Sequence, residues 1–239
     1  ARCDDALFVD LDGTLVDLAP TPDAVTVHPE LPVLLARLQC LLGGAVAVVS
    51  GRPVAQLDHL LQPLSACAAG VHGVERRGAD GQWQRLAIDG LQPAAALVRA
   101  VVAAHPGLRM ETKPGAIALH YRQASALQQL CLDTMAQALA QTDGMVLMHG
   151  TRGAEMKPQA ASKGQAIHSF MNEAPFRGRR PWFFGDDVTD ESGFEAVRAL
   201  GGVAVKIGTG ATLACHRLAD PASLRLWLSS TVARLSVTE

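Results

Sequence analysis

Two kinds of apolar pattern alternate along this chain. Short, unbroken apolar runs stand at Ala6–Asp10 (ALFVD), Ala45–Val49 (AVAVV), Cys67–Val71 (CAAGV), Trp182–Asp186 (WFFGD) and Val203–Ile207 (VAVKI). They are too short for helices and read as strands. Longer periodic stretches at Leu31–Leu42, Ser192–Leu200 and Pro221–Leu235 read as helices. Gly43-Gly44 ends the first of these, Pro53 opens another as a first-turn proline, and Ser162 caps one that starts at Lys163. A strand with no polar alternation is buried on both faces. That is the signature of a parallel sheet covered by helices on each side.

The middle of the chain reads differently. A helix over Pro93–Ala104 precedes two strands, Leu108–Lys113 and Ala116–Arg122, joined at Pro114-Gly115 by a type II turn. A second helix, Ala124–Ala140, precedes a second hairpin, Met145–His149 and Arg152–Lys157, around Gly150. The order αββαββ is that of an α+β unit with one antiparallel sheet. The predicted fold is therefore α/β: a Rossmann-like parallel-sheet core, residues 1–81 and 158–239, interrupted by an α+β insert at 82–157. A length of 239 residues suits one large domain carrying an insert.

Composition narrows the function. With 49% apolar and 18% charged residues the chain is neither disordered nor of low complexity. Its size lets it fold without disulfides or a structural metal. The net charge of −2 offers no basic excess for a phosphate backbone, so no nucleic-acid partner is expected. No apolar run reaches the ~18–20 residues that span a bilayer, so no membrane association is expected either. The opening ARCDDALFVD shows no secretory leader. Cys3, Cys40, Cys67, Cys131 and Cys215 are scattered, with no C-x-x-C pair, and read as ordinary reduced core thiols, which fits a cytoplasmic location; the chain is expected to be a monomer. Charge is divided unevenly: the insert carries +2 and the remainder −4. A mildly basic insert and an acidic core suit an anionic substrate together with a cation.

Four short motifs carry candidate chemistry, each at a strand end or a helix start. Asp10-Leu11-Asp12-Gly13-Thr14 places two carboxylates where the first strand ends, and open α/β sheets bind ligands beyond those ends. Taken alone it also reads as an Asx-turn. Ser50-Gly51-Arg52-Pro53 offers a hydroxyl and free backbone N–H groups before a helix, or simply a serine N-cap. Lys163 stands in a first helical turn, where a cation is disfavoured unless it has an anionic partner. In isolation it reads as a solvated surface residue. Gly185-Asp186-Asp187-Val188-Thr189-Asp190-Glu191 crowds carboxylates that repel unless a cation or protons neutralise them. Such hard oxygen donors suit Mg²⁺, although Asp190 and Glu191 also read simply as acids at a helix start, which the dipole favours.

In this order the four motifs resemble those of the haloacid-dehalogenase-like phosphatases, at Asp10, Asp12 and Thr14, at Ser50, at Lys163, and at Asp186 and Asp187. The insert is similar to that superfamily's αββαββ cap, and the resemblance spans about residues 5–235. More narrowly, Gly70–Glu75 (GVHGVE), Glu111-Thr112-Lys113, Ala118–Arg122 (ALHYR), Glu155–Pro158 (EMKP) and Gly185–Glu191 look like the trehalose-6-phosphate phosphatase family, with Lys157 where an Arg is typical.

The resemblance implies roles. Asp10 is the nucleophile and Asp12 the acid and base. Thr14, Ser50 and Lys163 bind the phosphoryl group. Asp10, Asp12 through its carbonyl, Asp186 and Asp187 serve Mg²⁺. Arg52 lies toward the leaving group, while Glu111, Lys113, Arg122 and Glu155 read the sugar of trehalose 6-phosphate. His72 and His120 are expected to be structural. Glu111 and Arg122 can also be read as a pair across their own hairpin. The rivals are a phosphatase of another sugar phosphate, a phospho-accepting receiver module, and a non-catalytic sugar-phosphate sensor.

Overall fold

The computed structural model describes residues 1–86, 90–150 and 153–237. Strand β1 (Asp5–Val9) leads to helix α1 (Glu30–Leu41), followed by β2 (Val46–Val49), α2 (Val54–Leu60) and β3 (Cys67–Gly70). Two short strands come next, β4 (Glu75–Arg77) and β5 (Trp83–Arg85). Then follow α3 (Leu91–Ala104), β6 (Arg109–Lys113), β7 (Ala116–His120), α4 (Gln128–Leu139), β8 (Met145–Gly150) and β9 (Gly153–Pro158). The chain ends with α5 (Lys163–Met171), β10 (Arg180–Gly185), α6 (Glu191–Ala199), β11 (Val203–Ile207), β12 (His216–Leu218) and α7 (Pro221–Leu235). It divides into two compact units, Ala1–Gln84 with Ser162–Glu239, and Arg85–Ala161.

In the first unit eight strands form one sheet in the order β12-β11-β10-β1-β2-β3-β4-β5. Pairing is parallel from β12 to β3, and β4 runs antiparallel to β3. The apolar strands follow from this placement. On β1, Leu7 and Val9 join one apolar cluster with Leu35 of α1, Leu57 of α2 and Leu228 of α7. Ala6 and Phe8 join the other, with Phe170 of α5 and Phe194 of α6. A strand alternates its side chains, so one covered on both faces is apolar at every position. The chain runs outward from β1 in both directions, which makes the gap between β1 and β10 the topological switch point. Ligands bind beyond the carboxyl ends of strands at such a point.

The second unit holds a four-stranded antiparallel sheet in the order β6-β7-β9-β8. Its apolar face, with Ile117, Leu119, Ala154 and Met156, packs on Val98 of α3 and on Cys131 and Met135 of α4. Gly115 takes a φ of 66°, as the third residue of a type II turn requires.

Two details differ from the sequence reading, and a third lies outside the described residues. Pro53 stands one residue ahead of α2 rather than in its first turn. Arg152, expected to begin a strand, lies outside the described residues. The strands β4, β5 and β12 have no apolar run to announce them. In β4 the buried residues are charged. Glu75 accepts the Val54 N–H through Oε1 at 2.7 Å, and the Arg76 guanidinium lies 4.7 Å from the centre of the Phe170 ring while pairing with Glu173. All five cysteines are free, but only Cys67 and Cys131 are core thiols as expected, because Cys3, Cys40 and Cys215 are exposed; no described helix is long and apolar enough to cross a membrane.

Candidate active site

Asp10 follows the end of β1 and Asp186 the end of β10, so adjacent parallel strands deliver two carboxylates to the switch point. The backbone of Asp10 is fixed by its N–H, which donates to the Phe184 carbonyl at 3.0 Å. Thr14 Oγ1 bridges the two acids, 3.3 Å from Asp10 Oδ2 and 3.1 Å from Asp186 Oδ1. Gly13 makes this closeness possible. Its φ is 78°, and a Cβ there would lie 2.1 Å from Asp186 Oδ2. Gly13→Ala is therefore expected to displace Asp186 and lower turnover by roughly 100-fold in a chain that still folds. The check is kcat beside a circular dichroism spectrum. A folded variant with undiminished kcat would show that Asp186 needs no such placement.

Lys163, read in isolation as a surface lysine, is buried. Its Nζ lies 2.7 Å from Asp10 Oδ1 and 2.6 Å from Asp190 Oδ1. It is delivered there by α5, whose N-cap Ser162 accepts the Gln165 N–H through Oγ at 3.0 Å. Asp190 uses its other oxygen, Oδ2, to accept the N–H groups of Asp186 at 3.0 Å and Asp187 at 2.9 Å. It is thus the brace of the acidic loop. Asp187 is exposed and caps the 3₁₀ turn over Val188–Asp190. Lys206 of β11 is also buried and donates from Nζ to the Asp186 carbonyl. The sequence reading passed over it. The available signal was a lysine within the apolar run VAVKI, in a chain with only four lysines.

Electrostatics follow from this crowding. Burial, then the Asp190 carboxylate, push Asp186 up to about 6. Burial also drives Asp10 above the usual carboxylate range, helped by Asp190 and Asp186 and opposed by Lys163. For Lys163 burial works against the charge, but the Asp10 and Asp190 carboxylates outweigh it and hold the ammonium above the ordinary lysine value. The centre is short of positive charge. Carboxylate oxygens of Asp10, Asp186 and Asp190 lie within 4.8 Å of one another. Both Asp190 oxygens are committed, so Asp10 and Asp186 are the pair that fits a hard cation.

The Ser50 loop completes this side of the sheet. Ser50 is buried at the end of β2, and its Oγ accepts the Arg52 N–H at 3.2 Å. It is not a helix cap, because α2 begins four residues later. The Arg52 guanidinium grips Asp12 with both arms, Nε to Oδ2 at 2.6 Å and Nη2 to Oδ1 at 2.8 Å. Arg52 is thus fixed on the second carboxylate of the β1 motif.

In the second unit, the sheet face opposite the helices is polar. Glu111, Ala118 and Glu155 are register partners across β6, β7 and β9, which puts both glutamates on that face with Lys113 and His120. Lys113 Nζ lies 2.6 Å from Glu155 Oε2, and His120 Nε2 lies 3.0 Å from Glu111 Oε2. The Glu111 carboxyl is held below its ordinary value, first by that His120 contact. One expectation changes here. Glu111 pairs with His120 rather than with Arg122, because Arg122 lies beyond the end of β7 and is exposed. Lys157 is buried and donates to the Ala161 carbonyl.

A largely parallel sheet with a carboxylate–lysine centre at its switch point, interrupted by an αββαββ unit, is the arrangement that the resemblance to the haloacid-dehalogenase-like phosphatases implies. The model of the trehalose-phosphatase family matches residues 8–221. The chain is 44% identical over 233 residues to the trehalose-6-phosphate phosphatase of Escherichia coli K12, covering 96% of this chain and 87% of that one. It is also 44% identical over 206 residues to a probable trehalose-phosphate phosphatase of Sinorhizobium fredii, covering 85% and 77%. The C-terminal domain of C. albicans trehalose-6-phosphate phosphatase superposes with a TM-score of 0.79 at 20% identity, over 97% of this chain and 92% of that one, a likeness of fold. The chain belongs to the trehalose-phosphatase family and is a phosphoric monoester hydrolase, which sets aside the receiver reading.

Proposed function

We propose that this chain hydrolyses trehalose 6-phosphate to trehalose and inorganic phosphate through an aspartyl-phosphate on Asp10. The observation that carries this is Asp10 itself, buried at the switch point of a trehalose-phosphatase family chain and paired with Lys163 at 2.7 Å. An Asp10 carboxylate oxygen forms a bond to phosphorus as the bond from phosphorus to the sugar oxygen breaks. Asp12 protonates the departing oxygen. Water then attacks the phosphoryl group, Asp12 takes its proton, and Asp10 is released with inorganic phosphate. Splitting hydrolysis in two gives each half an easier barrier.

Thr14, Ser50 and Lys163 donate to the phosphoryl oxygens, where charge shifts in the transition state. Arg52 holds Asp12 toward the leaving group. The cation would be Mg²⁺, which Asp10, the Asp12 main-chain carbonyl and Asp186 would hold, with Asp187 orienting a water beside it. When bound it neutralises phosphate charge so that an anionic nucleophile approaches. The chain works as a monomer and in the cytoplasm, the latter a reading that its free cysteines support.

The inserted unit is the cap, and its polar sheet face reads the sugar. Glu111, Lys113 and Glu155 offer the acceptors and donors that a disaccharide's hydroxyls need, with His120 beside Glu111. Arg122, exposed past β7, serves at the edge of that face. Glu111→Ala and Glu155→Ala are each expected to lower kcat/KM for trehalose 6-phosphate by about one to two decades, the ~1.5–3 kcal/mol of a charged hydrogen bond. A small aryl phosphate, which offers no hydroxyls to these groups, should be hydrolysed normally by both. Proportional losses on the two substrates would assign the glutamates to folding instead. The direct test of the function is phosphate release from trehalose 6-phosphate.

A further inference from the structure

Only two non-glycine residues among those described have a positive φ, and they are consecutive. Val71 has a φ of 49° and His72 a φ of 55°. The left-handed region is unfavourable for L residues and most of all for a β-branched one. Glycine stands on either side, at Gly70 and Gly73, yet the two strained positions carry full side chains. Strain of this kind persists where the surroundings over-determine it, and it gathers at functional sites. Val71 is accounted for by packing, since its side chain is fully buried.

His72 is accounted for by what it touches. The Val71 N–H donates to the Arg52 carbonyl at 3.0 Å, and the His72 N–H donates to the Ser50 carbonyl at 2.9 Å. The buried His72 ring lies over Gly51, where an added Cβ would come within 2.7 Å of Cε1 and 2.8 Å of Nε2. On its far side the same segment abuts α5: a Cβ on Gly73 would lie 2.8 Å from the carbonyl oxygen of Ser162, the residue before Lys163. One strained turn therefore touches both the Ser50 loop and the helix start that carries Lys163.

We propose that the left-handed Val71-His72 turn is a wedge, and that His72 is a positioning residue whose ring on Gly51 sets the Ser50–Arg52 loop for the phosphoryl group. This rests on the reading of Ser50 as a phosphoryl ligand. Because the wedge acts on the phosphate side, it serves every substrate alike, unlike the glutamates of the second unit. The left-handed backbone is what brings the ring onto Gly51 while both N–H groups hold the loop carbonyls. An extended residue at position 72 would turn its side chain elsewhere.

The test compares His72→Ala, His72→Asn, Gly51→Ala, the double variant Gly51→Ala/His72→Ala, and Ser50→Ala. Readouts are kcat and KM on a sugar phosphate and an aryl phosphate, and the inhibition constant of inorganic phosphate, with folding followed by circular dichroism. His72→Ala should lower kcat/KM about 10- to 100-fold on both substrates and weaken phosphate inhibition. His72→Asn, whose side chain tolerates the left-handed region, should fold even where His72→Ala does not and lose less. Gly51→Ala drives a Cβ into the ring, so removing the ring in the double variant should recover activity by about tenfold over Gly51→Ala alone. Wild-type constants in folded His72 variants, or losses in the double variant that simply multiply, overturn the wedge. If Ser50→Ala leaves phosphate inhibition unchanged, the phosphoryl role of the loop falls and the wedge with it. A damaged Ser50→Ala beside unaffected His72 variants overturns the wedge alone.

Discussion

Replacing Asp10 with asparagine is expected to abolish turnover in a protein that folds at least as well as the wild type. The amide has nearly the same volume but no anionic oxygen to attack phosphorus, and loss of a nucleophile costs on the order of 10⁴–10⁶ in kcat. Folding is spared for an electrostatic reason. Burial, with Asp190 and Asp186, raises the Asp10 pKa in the folded chain. A carboxyl with a raised folded pKa favours the folded state at low pH, and that contribution is lost as pH rises through the folded value. Deprotonating Asp10 therefore costs the folded state stability, and asparagine, with no charge to bury, avoids that cost. Lys163 keeps Asp190 as its partner at 2.6 Å. The expected pair of results is a Tm no lower than that of the wild type and no acid-stable, hydroxylamine-sensitive phosphoenzyme after quenching. A folded Asp10→Asn chain with near-normal kcat would falsify the covalent route.

Asp12→Asn should divide the two half-reactions. Arg52 donates to both Asp12 oxygens in the wild type, and asparagine can accept only one of those bonds, so folding of the variant is checked by circular dichroism beside the kinetics. What is lost is the proton, worth about 10²–10⁴ in rate. With a sugar phosphate the leaving alkoxide needs that proton, so the first step stalls. An aryl phosphate releases a much weaker base and suffers less in the first step. Its second step still lacks a base to activate water. Rapid mixing of the variant with an aryl phosphate should thus show a burst of phenol followed by slow turnover. Equal losses on both substrates with no burst would remove Asp12 as the acid and base.

What could be read from the sequence was whatever depends on local pattern. The apolar runs of ALFVD and AVAVV announce burial on two faces, and the order of helices and hairpins announces the inserted unit. Legibility ends where a contact depends on how the strands are ordered. Lys163 reads as a surface residue until β1 and α5 place it between Asp10 and Asp190. The Lys113–Glu155 pair spans β6 to β9 across the small side chain of Ala118, and nothing in the spacing reveals that β7 lies between them. Strand β4 is hidden because its buried residues, Glu75 and Arg76, are charged, and their partners Val54 and Glu173 are remote in sequence. Asp190 reads as a helix-start acid, whereas its two oxygens are divided between Lys163 and two loop amides.

Phosphate release from trehalose 6-phosphate, glucose 6-phosphate and sucrose 6-phosphate, each with and without Mg²⁺, tests the central claim most directly. The expected result is rapid release from trehalose 6-phosphate alone, lost on chelation of the metal and restored by Mg²⁺. Equal or faster release from glucose 6-phosphate or sucrose 6-phosphate, or release that continues undiminished without Mg²⁺, would contradict it.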